Sequence, residues 1–173
     1  MSVIETQPIH TDRLVLWPLL VAHAEEMAAA LADPRLHTFI GGAPADPVSL
    51  RARYERLVAG SPDPAETWCN WVIELRAESC LVGTVQATVA GAVAEVAWVV
   101  GTPWQGRGIA TEATRALVAW LGQHAVRTVI AHIHPDHRAS AAVASAAGLR
   151  PTDVWHDGEV RWAGASGPAS RSG

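Results

Sequence analysis

The order of elements in this chain predicts an α/β fold: a mixed sheet, mostly antiparallel, with one central parallel β-α-β pair. Three observations carry the prediction. Residues 94–123 read as strand, glycine loop and amphipathic helix, and a further strand follows at 128–134; a strand-helix-strand crossover of that length implies parallel pairing with a right-handed connection. Residues 68–75, 80–89 and 94–100 are three apolar-rich runs separated by short turns, the pattern of an antiparallel meander. Residues 153–162 close on Asp157-Gly158, a hairpin turn.

Taken in order, residues 1–10 read as irregular and 13–17 as a short strand. Residues 21–32 read as a helix, with Met27, Ala30 and Leu31 on one side and Glu25 and Glu26 outside; Asp33-Pro34 ends it. The stretch 36–47 reads as a loop around Gly41-Gly42. Asp46-Pro47 is an N-cap and first-turn pair, so a second helix is expected over 47–58. In the central strand Val96, Trp98 and Val100 alternate with Glu95, Ala97 and Val99. The helix after it starts near Ile109 and carries Ala113, Ala116, Leu117, Trp120 and Leu121 at spacings of three and four, one buried stripe. Glu112 falls in its first turn, where the helix dipole favours a negative charge. Residues 140–147 are a short helix ended by Gly148. The expectation is a single domain over 9–163 and a disordered tail over 164–173.

Composition narrows the function. The chain has 173 residues, enough for one domain with a real core. A net charge of −4 lacks the basic footprint of a nucleic-acid binder, and no nucleic-acid partner is expected. No apolar run reaches the roughly 18–20 residues of a membrane span, and no leader pattern is visible, so a soluble cytoplasmic protein is the expectation. Cys69 and Cys80 fall in strands without metal-ligand spacing and read as reduced thiols. His132, His134 and His137 form H-x-H-x-x-H, but no fourth ligand accompanies them, and no metal is expected. Trp17, Trp71 and Trp98 read as core. Trp68, Trp104, Trp155 and Trp162 lie near strand ends or loops, and either pack or shape an acceptor pocket or an interface.

The chemistry is concentrated in the loop at 101–108. A glycine loop that opens a helix aims unpaired backbone N–H groups and the dipole at one point, which makes an anion site. The chain contains no lysine, so the ATP-type Gly-Lys-Ser/Thr ending is absent, and G-x-G-x-x-G is absent as well. What stands there is Gln105-Gly106-Arg107-Gly108-Ile109-Ala110, a Q-x-x-G-x-A pattern followed by Thr111. It resembles the pyrophosphate-binding motif of the GCN5-related N-acetyltransferase (GNAT) superfamily. The flanking residues, with Thr11-Asp12-Arg13-Leu14 upstream, look most like its RimJ/RimL-type branch. The resemblance covers residues 9–163 and implies the acyl-CoA N-acyltransferase fold, acetyl-CoA as co-substrate, a primary amine (a protein N-terminus or a small molecule) as acceptor, and a homodimer as a possible assembly.

The resemblance also implies a site. The two parallel strands splay apart, the pantetheine arm lies between them, and a backbone N–H near Val99, Val100 or Gly101 polarises the acyl carbonyl. Gln105, Gly106, Arg107, Gly108, Ile109, Ala110 and Thr111 would hold the pyrophosphate, with Arg107 and Arg138 as guanidinium partners. Glu95, in an apolar setting expected to raise its pKa, is the candidate base; it acts directly, through water, or by orienting the amine. Ser140 is the candidate acid toward the departing thiol, or an N-cap. His137 stands where the branch carries Asn, and offers a cofactor contact or a second acid. The rival from another class is a non-catalytic acyl-CoA-binding module that kept the loop and lost turnover. A longer acyl donor or a hydroxyl acceptor is a third possibility.

Overall fold

A computed structural model describes residues 4–40 and 42–167. Among the described residues eight strands form one sheet: β1 (Ile9–His10), β2 (Leu14–Pro18), β3 (Thr67–Leu75), β4 (Cys80–Ala90), β5 (Val93–Val100), β6 (Thr128–Ile133), β7 (Arg150–His156) and β8 (Glu159–Ala165). Their spatial order is β1-β2-β3-β4-β5-β6-β8-β7. Only β5 and β6 run parallel; every other neighbouring pair is antiparallel. The helices are α1 (Ala24–Ala30), α2 (His37–Ile40), α3 (Pro47–Ala59), α4 (Ile109–Gly122) and α5 (Arg138–Ala146).

Both faces of the sheet are packed, by different helices. On one face α4 buries Ile109, Ala113, Leu117, Trp120 and Leu121 against Trp71, Val85, Val96 and Val129. Trp120 meets Trp71 edge-to-face at 5.1 Å. A fully buried leucine such as Leu117 or Leu121 contributes about 1.5–3 kcal/mol by burial. On the other face Met27 of α1 and Leu50 and Tyr54 of α3 close over Val72 and Leu81. The Asp46 carboxylate caps α3 by accepting from the Ser49 N–H at 2.7 Å.

Several expectations need correction. The first ten residues contain β1, which pairs with Val15 and Leu16. The helix expected over 21–32 is a 3-10 turn at Val21–His23 followed by α1. The stretch expected as a loop folds into a 3-10 turn at Pro34–Leu36 and then α2; the Asp33 carboxylate nucleates it by accepting from the Arg35 N–H at 2.9 Å. Trp17 is exposed rather than core, with the His10 ring of β1 edge-to-face against it at 6.1 Å. β8 runs to Ala165, which pairs with Thr128, so residues 164 and 165 belong to the sheet and not to a tail. Residues 168–173 lie outside the described residues.

One irregularity positions the site. β5 and β6 pair only from Val93↔Thr128 to Glu95↔Ile130. β5 continues to Val100 beside β4, and β6 continues to Ile133 beside β8. Beyond Glu95 the two parallel strands have parted, and the sheet opens into a gap at their carboxyl ends.

Candidate active site

The loop between β5 and α4 is held open by two left-handed glycines. Gly106 has φ 75° and Gly108 has φ 77°; a side chain there would add roughly 1–2 kcal/mol of strain. Gly108 is the N-cap of α4 and lends no side chain to the first turn. The leading N–H groups of α4 therefore face outward with the positive end of the dipole, as an anion site requires. Gln105 turns its side chain inward, donating from Nε2 to the Val100 carbonyl at 3.0 Å, and so locks the loop to the end of β5.

The loop is braced from behind by residues distant in sequence. The Arg13 guanidinium donates to the Arg107 carbonyl at 2.8 Å and to Glu112 Oε1 at 2.7 Å. The Thr11 hydroxyl and the Arg13 backbone N–H donate to Glu112 Oε2. Burial of the Glu112 carboxyl works to raise its pKa, but the hydrogen bonds from Thr11 and Arg13 outweigh that and leave it below the ordinary value. The Arg107 side chain departs from its expected role. Its Nη1 donates to Glu78 Oε2 at 2.9 Å, and it does not line the cavity in front of the loop.

That cavity has a volume of about 590 Å³. The loop and first turn of α4 form one wall, with Gln105, Gly106, Gly108, Ile109, Ala110 and Thr111. The N-terminal half of α5 forms another, with His137, Arg138 and Ser140; Trp98, Val99 and Val100 form the floor and Leu36 and Phe39 the roof. The ladder direction identifies the donor that faces it. The Gly101 N–H donates to Val82 on β4 at 2.8 Å. N–H groups alternate along a strand, so Val99 also points to β4 and Val100 points into the gap. The Val100 carbonyl, which turns the same way, is the one taken by Gln105. Of the three positions expected to supply a backbone donor, Val100 is the one whose N–H faces the gap.

At the start of α5 the structure changes the assignment of Ser140. The helix begins at Arg138 with His137 as N-cap, so Ser140 lies within the first turn instead of capping it. Ser140 Oγ lies 3.3 Å from His137 Nε2. The His137 ring stacks on Phe39 at 4.4 Å with an interplanar angle of 12°. Burial, and then the neighbouring His134, push its pKa below the usual histidine value. Both effects work against the imidazolium form of His137.

A second cavity of about 260 Å³ adjoins the first, and Phe39, Trp98, His137 and Ser140 line both. Glu95, Ala97, His132 and Glu159 line its far side. The Glu95 side chain is 51% exposed, so the enclosing apolar setting expected for it is absent. Instead its Oε1 meets His132 Nδ1 at 2.7 Å, and the Arg161 Nε–H donates to His132 Nε2 at 3.1 Å. Among the described residues no group of three or more His, Cys, Asp or Glu side chains is placed to hold a metal ion, since His132 is engaged with Glu95 while His134 and His137 turn to Phe39. No described helix is long and apolar enough to cross a membrane.

The fold thus collects Glu95, Val99, Val100, His137, Arg138, Ser140 and the 105–111 loop around one cleft, with only the Arg107 side chain turned away. Sequence reading missed Phe39, which sits in an unforeseen helix, and Arg161, whose partner lies across the sheet. The bracing by Thr11 and Arg13 was missed as well; the T-x-R-L resemblance marks the two residues without giving them a role.

The β5–β6 gap thus has the start of α4 on one side and the Glu95 carboxylate on the other. The family model described as acetyltransferase (GNAT) domain matches residues 13–150, and the chain belongs to that family. No curated protein sequence matches it. In fold it is similar to a GNAT-family acetyltransferase from Bacillus anthracis, with 18% identity, coverage of 92% of this chain and 97% of that one, and a TM-score of 0.76. It is similar to RimL, a ribosomal L7/L12 alpha-N-protein acetyltransferase solved with coenzyme A, with 13% identity, coverage of 92% and 98%, and a TM-score of 0.77. It is also similar to AAC(6')-Ib, solved with an aminoglycoside and acetyl-CoA, with 17% identity, coverage of 89% and 94%, and a TM-score of 0.74.

Proposed function

We propose that this chain is an acetyl-CoA-dependent N-acetyltransferase that transfers acetyl directly to a primary amine in a ternary complex. The observation that carries the reading is the order of groups along one cleft: the anion-binding loop, then the Val100 N–H, then Ser140, then Glu95. The loop N–H groups would take the pyrophosphate of the cofactor, with Arg138 beside them, and the thioester would reach the gap. Family membership, the coenzyme A complex of RimL and the acetyl-CoA complex of AAC(6')-Ib support the choice of cofactor. RimL also supports a protein N-terminus as acceptor, in keeping with the RimJ/RimL-like motif residues, whereas AAC(6')-Ib supports a small amine.

The mechanism follows from which groups can move protons. Glu95 takes one proton from the bound ammonium, directly or through a water. The neutral amine attacks the thioester carbon, and the Val100 N–H donates to the oxyanion that forms. As the C–S bond breaks, the thiolate needs a proton. Ser140 can give its hydroxyl proton to the sulfur and take the amine nitrogen's second proton in its place, with His137 Nε2 at 3.3 Å to hold the hydroxyl in position.

The test is acetyl-CoA binding by thermal shift, followed by thiol release against a panel of N-terminal peptides and aminoglycosides. Amine-dependent release, with product one acetyl group heavier, is expected, and Glu95→Gln should lower kcat/KM about 100-fold with cofactor affinity kept. Binding without release on any amine favours a non-catalytic acyl-CoA-binding module. No thermal shift at all removes the basis of the reading.

A further inference from the structure

We infer that His132 is a neutral clamp, held in its Nδ1–H tautomer by Arg161, and that it positions Glu95 rather than acting as base or proton relay. The inference rests on the reading of Glu95 as the group that takes the amine proton, and it concerns two residues given no role above.

The assignment follows from what each partner can donate. Arg161 Nε lies 3.1 Å from His132 Nε2, and a guanidinium stays protonated at any relevant pH. It is a donor only, so Nε2 must accept with its lone pair. A carboxylate is an acceptor only, so Nδ1, 2.7 Å from Glu95 Oε1, must carry the proton. Both ring nitrogens are then satisfied by one neutral tautomer. A second proton would have to displace Arg161 from Nε2 and would place a cation beside a guanidinium. The His132 side chain is only 9% exposed, while Glu95 opens to the cleft. One carboxylate oxygen is fixed by Nδ1–H, and the other remains to meet the amine.

The surrounding groups agree with this. Glu95 comes from β5, His132 from β6, His134 from just beyond its end, and Arg161 and Glu159 from β8. From β7 the His156 ring approaches His132 at 5.1 Å, and its own nearest acid is Asp157 at 3.2 Å. His132 and Arg161 are directly opposed in the β6–β8 register, so the backbone fixes their approach. Of the charged neighbours, only Arg161 occupies Nε2. Removing it would leave that nitrogen open to protonation, and the resulting imidazolium would pair with Glu95 and quench it as a base.

Two readouts test the clamp. In 15N-edited NMR of the imidazole nitrogens at pH 7, the free wild-type protein is expected to show His132 as the Nδ1–H tautomer, whereas Arg161→Met should lose that single tautomer. This measurement needs no turnover, so it separates failure of the clamp from failure of the acetyltransferase reading, which the thiol assay decides. In kinetics, Arg161→Met should move the acid limb of kcat/KM to higher pH by about one unit, with activity recovering at pH 9, and Arg161→Lys should restore the wild-type limb. His132→Ala should lower kcat about 10-fold, and His132→Asn, which can still donate one N–H to Glu95, should recover most of that loss. The inference is overturned if wild-type His132 shows the Nε2–H tautomer or an imidazolium at pH 7. It is equally overturned if Arg161→Met lowers activity by the same factor at every pH, or if His132→Asn is as impaired as His132→Ala.

Discussion

Replacing Glu112 by Ala tests whether the loop is braced from behind. Its carboxylate receives the Thr11 hydroxyl, the Arg13 N–H and the Arg13 guanidinium, the last at 2.7 Å. A hydrogen bond to a charged group contributes about 1.5–3 kcal/mol when shielded, but exposed ion pairs contribute about 0–1 kcal/mol. Here the Arg13 and Glu112 side chains are 44% and 22% exposed, so solvent screens much of the ion pair. The groups left behind can reach water, and the favourable charge at the helix start is lost as well. Together these give about 2 kcal/mol, which for a chain of this size lowers Tm by roughly 4–8 °C. The same substitution frees Arg13, which holds the Arg107 carbonyl at 2.8 Å, so the loop should loosen and acetyl-CoA affinity should fall a few-fold. Urea unfolding followed by tryptophan fluorescence reads the first effect, and calorimetric titration reads the second. A double cycle with Arg13→Ala should return a coupling of about 1 kcal/mol. If Glu112→Ala unfolds within about 0.5 kcal/mol of wild type and binds acetyl-CoA unchanged, the brace is not what holds the loop.

Two further outcomes follow from the same geometry. Arg107→Ala should change acetyl-CoA affinity less than about threefold in calorimetric titration, because its guanidinium faces Glu78 and an exposed pair of this kind is weak; Arg138→Ala, in the wall of the cavity, should weaken binding more. Stability should also fall on acidification. His137 and His23 both have pKa values lowered by burial, so below the unfolded value near 6.5 the unfolded chain binds protons that the folded chain does not. Denaturation series from pH 7.5 down should show ΔG declining from about pH 6.5, with the lowered Glu112 adding its own loss further down, as pH falls past its unfolded carboxyl value; Phe39→Ala, which opens His137 to water, should reduce the loss in the upper part of that window.

Local patterns made much of this legible. The glycine loop, the 3.6-residue period of α4 and the alternation in β5 each express a backbone requirement within a few residues, and each holds in the structure. Glu95, Ser140 and His137 converge because strand ends and helix starts meet at the gap, which the element order already implied. What escaped was tertiary. Arg107 suits phosphate in isolation, yet Glu78 at the β3–β4 turn reaches it first. Phe39 lies between Pro34 and the paired glycines, where composition argues for a loop, and α2 exists because Asp33 nucleates the turn before it. The setting of Glu95 was misjudged because its neighbours along β5 are apolar, whereas the group that meets it comes from β6.

The early parting of β5 and β6 has a consequence for the sheet as a whole. A strand near the middle of an eight-stranded sheet is, over its last residues, an edge strand. Edges invite strand addition, and proteins usually have to blunt them against unwanted partners. This one needs no such protection, because it lies inside the molecule beneath Phe39 and α5. Its unpaired main-chain groups therefore face the cleft and not the outer rim of the sheet, where another sheet edge could pair with them.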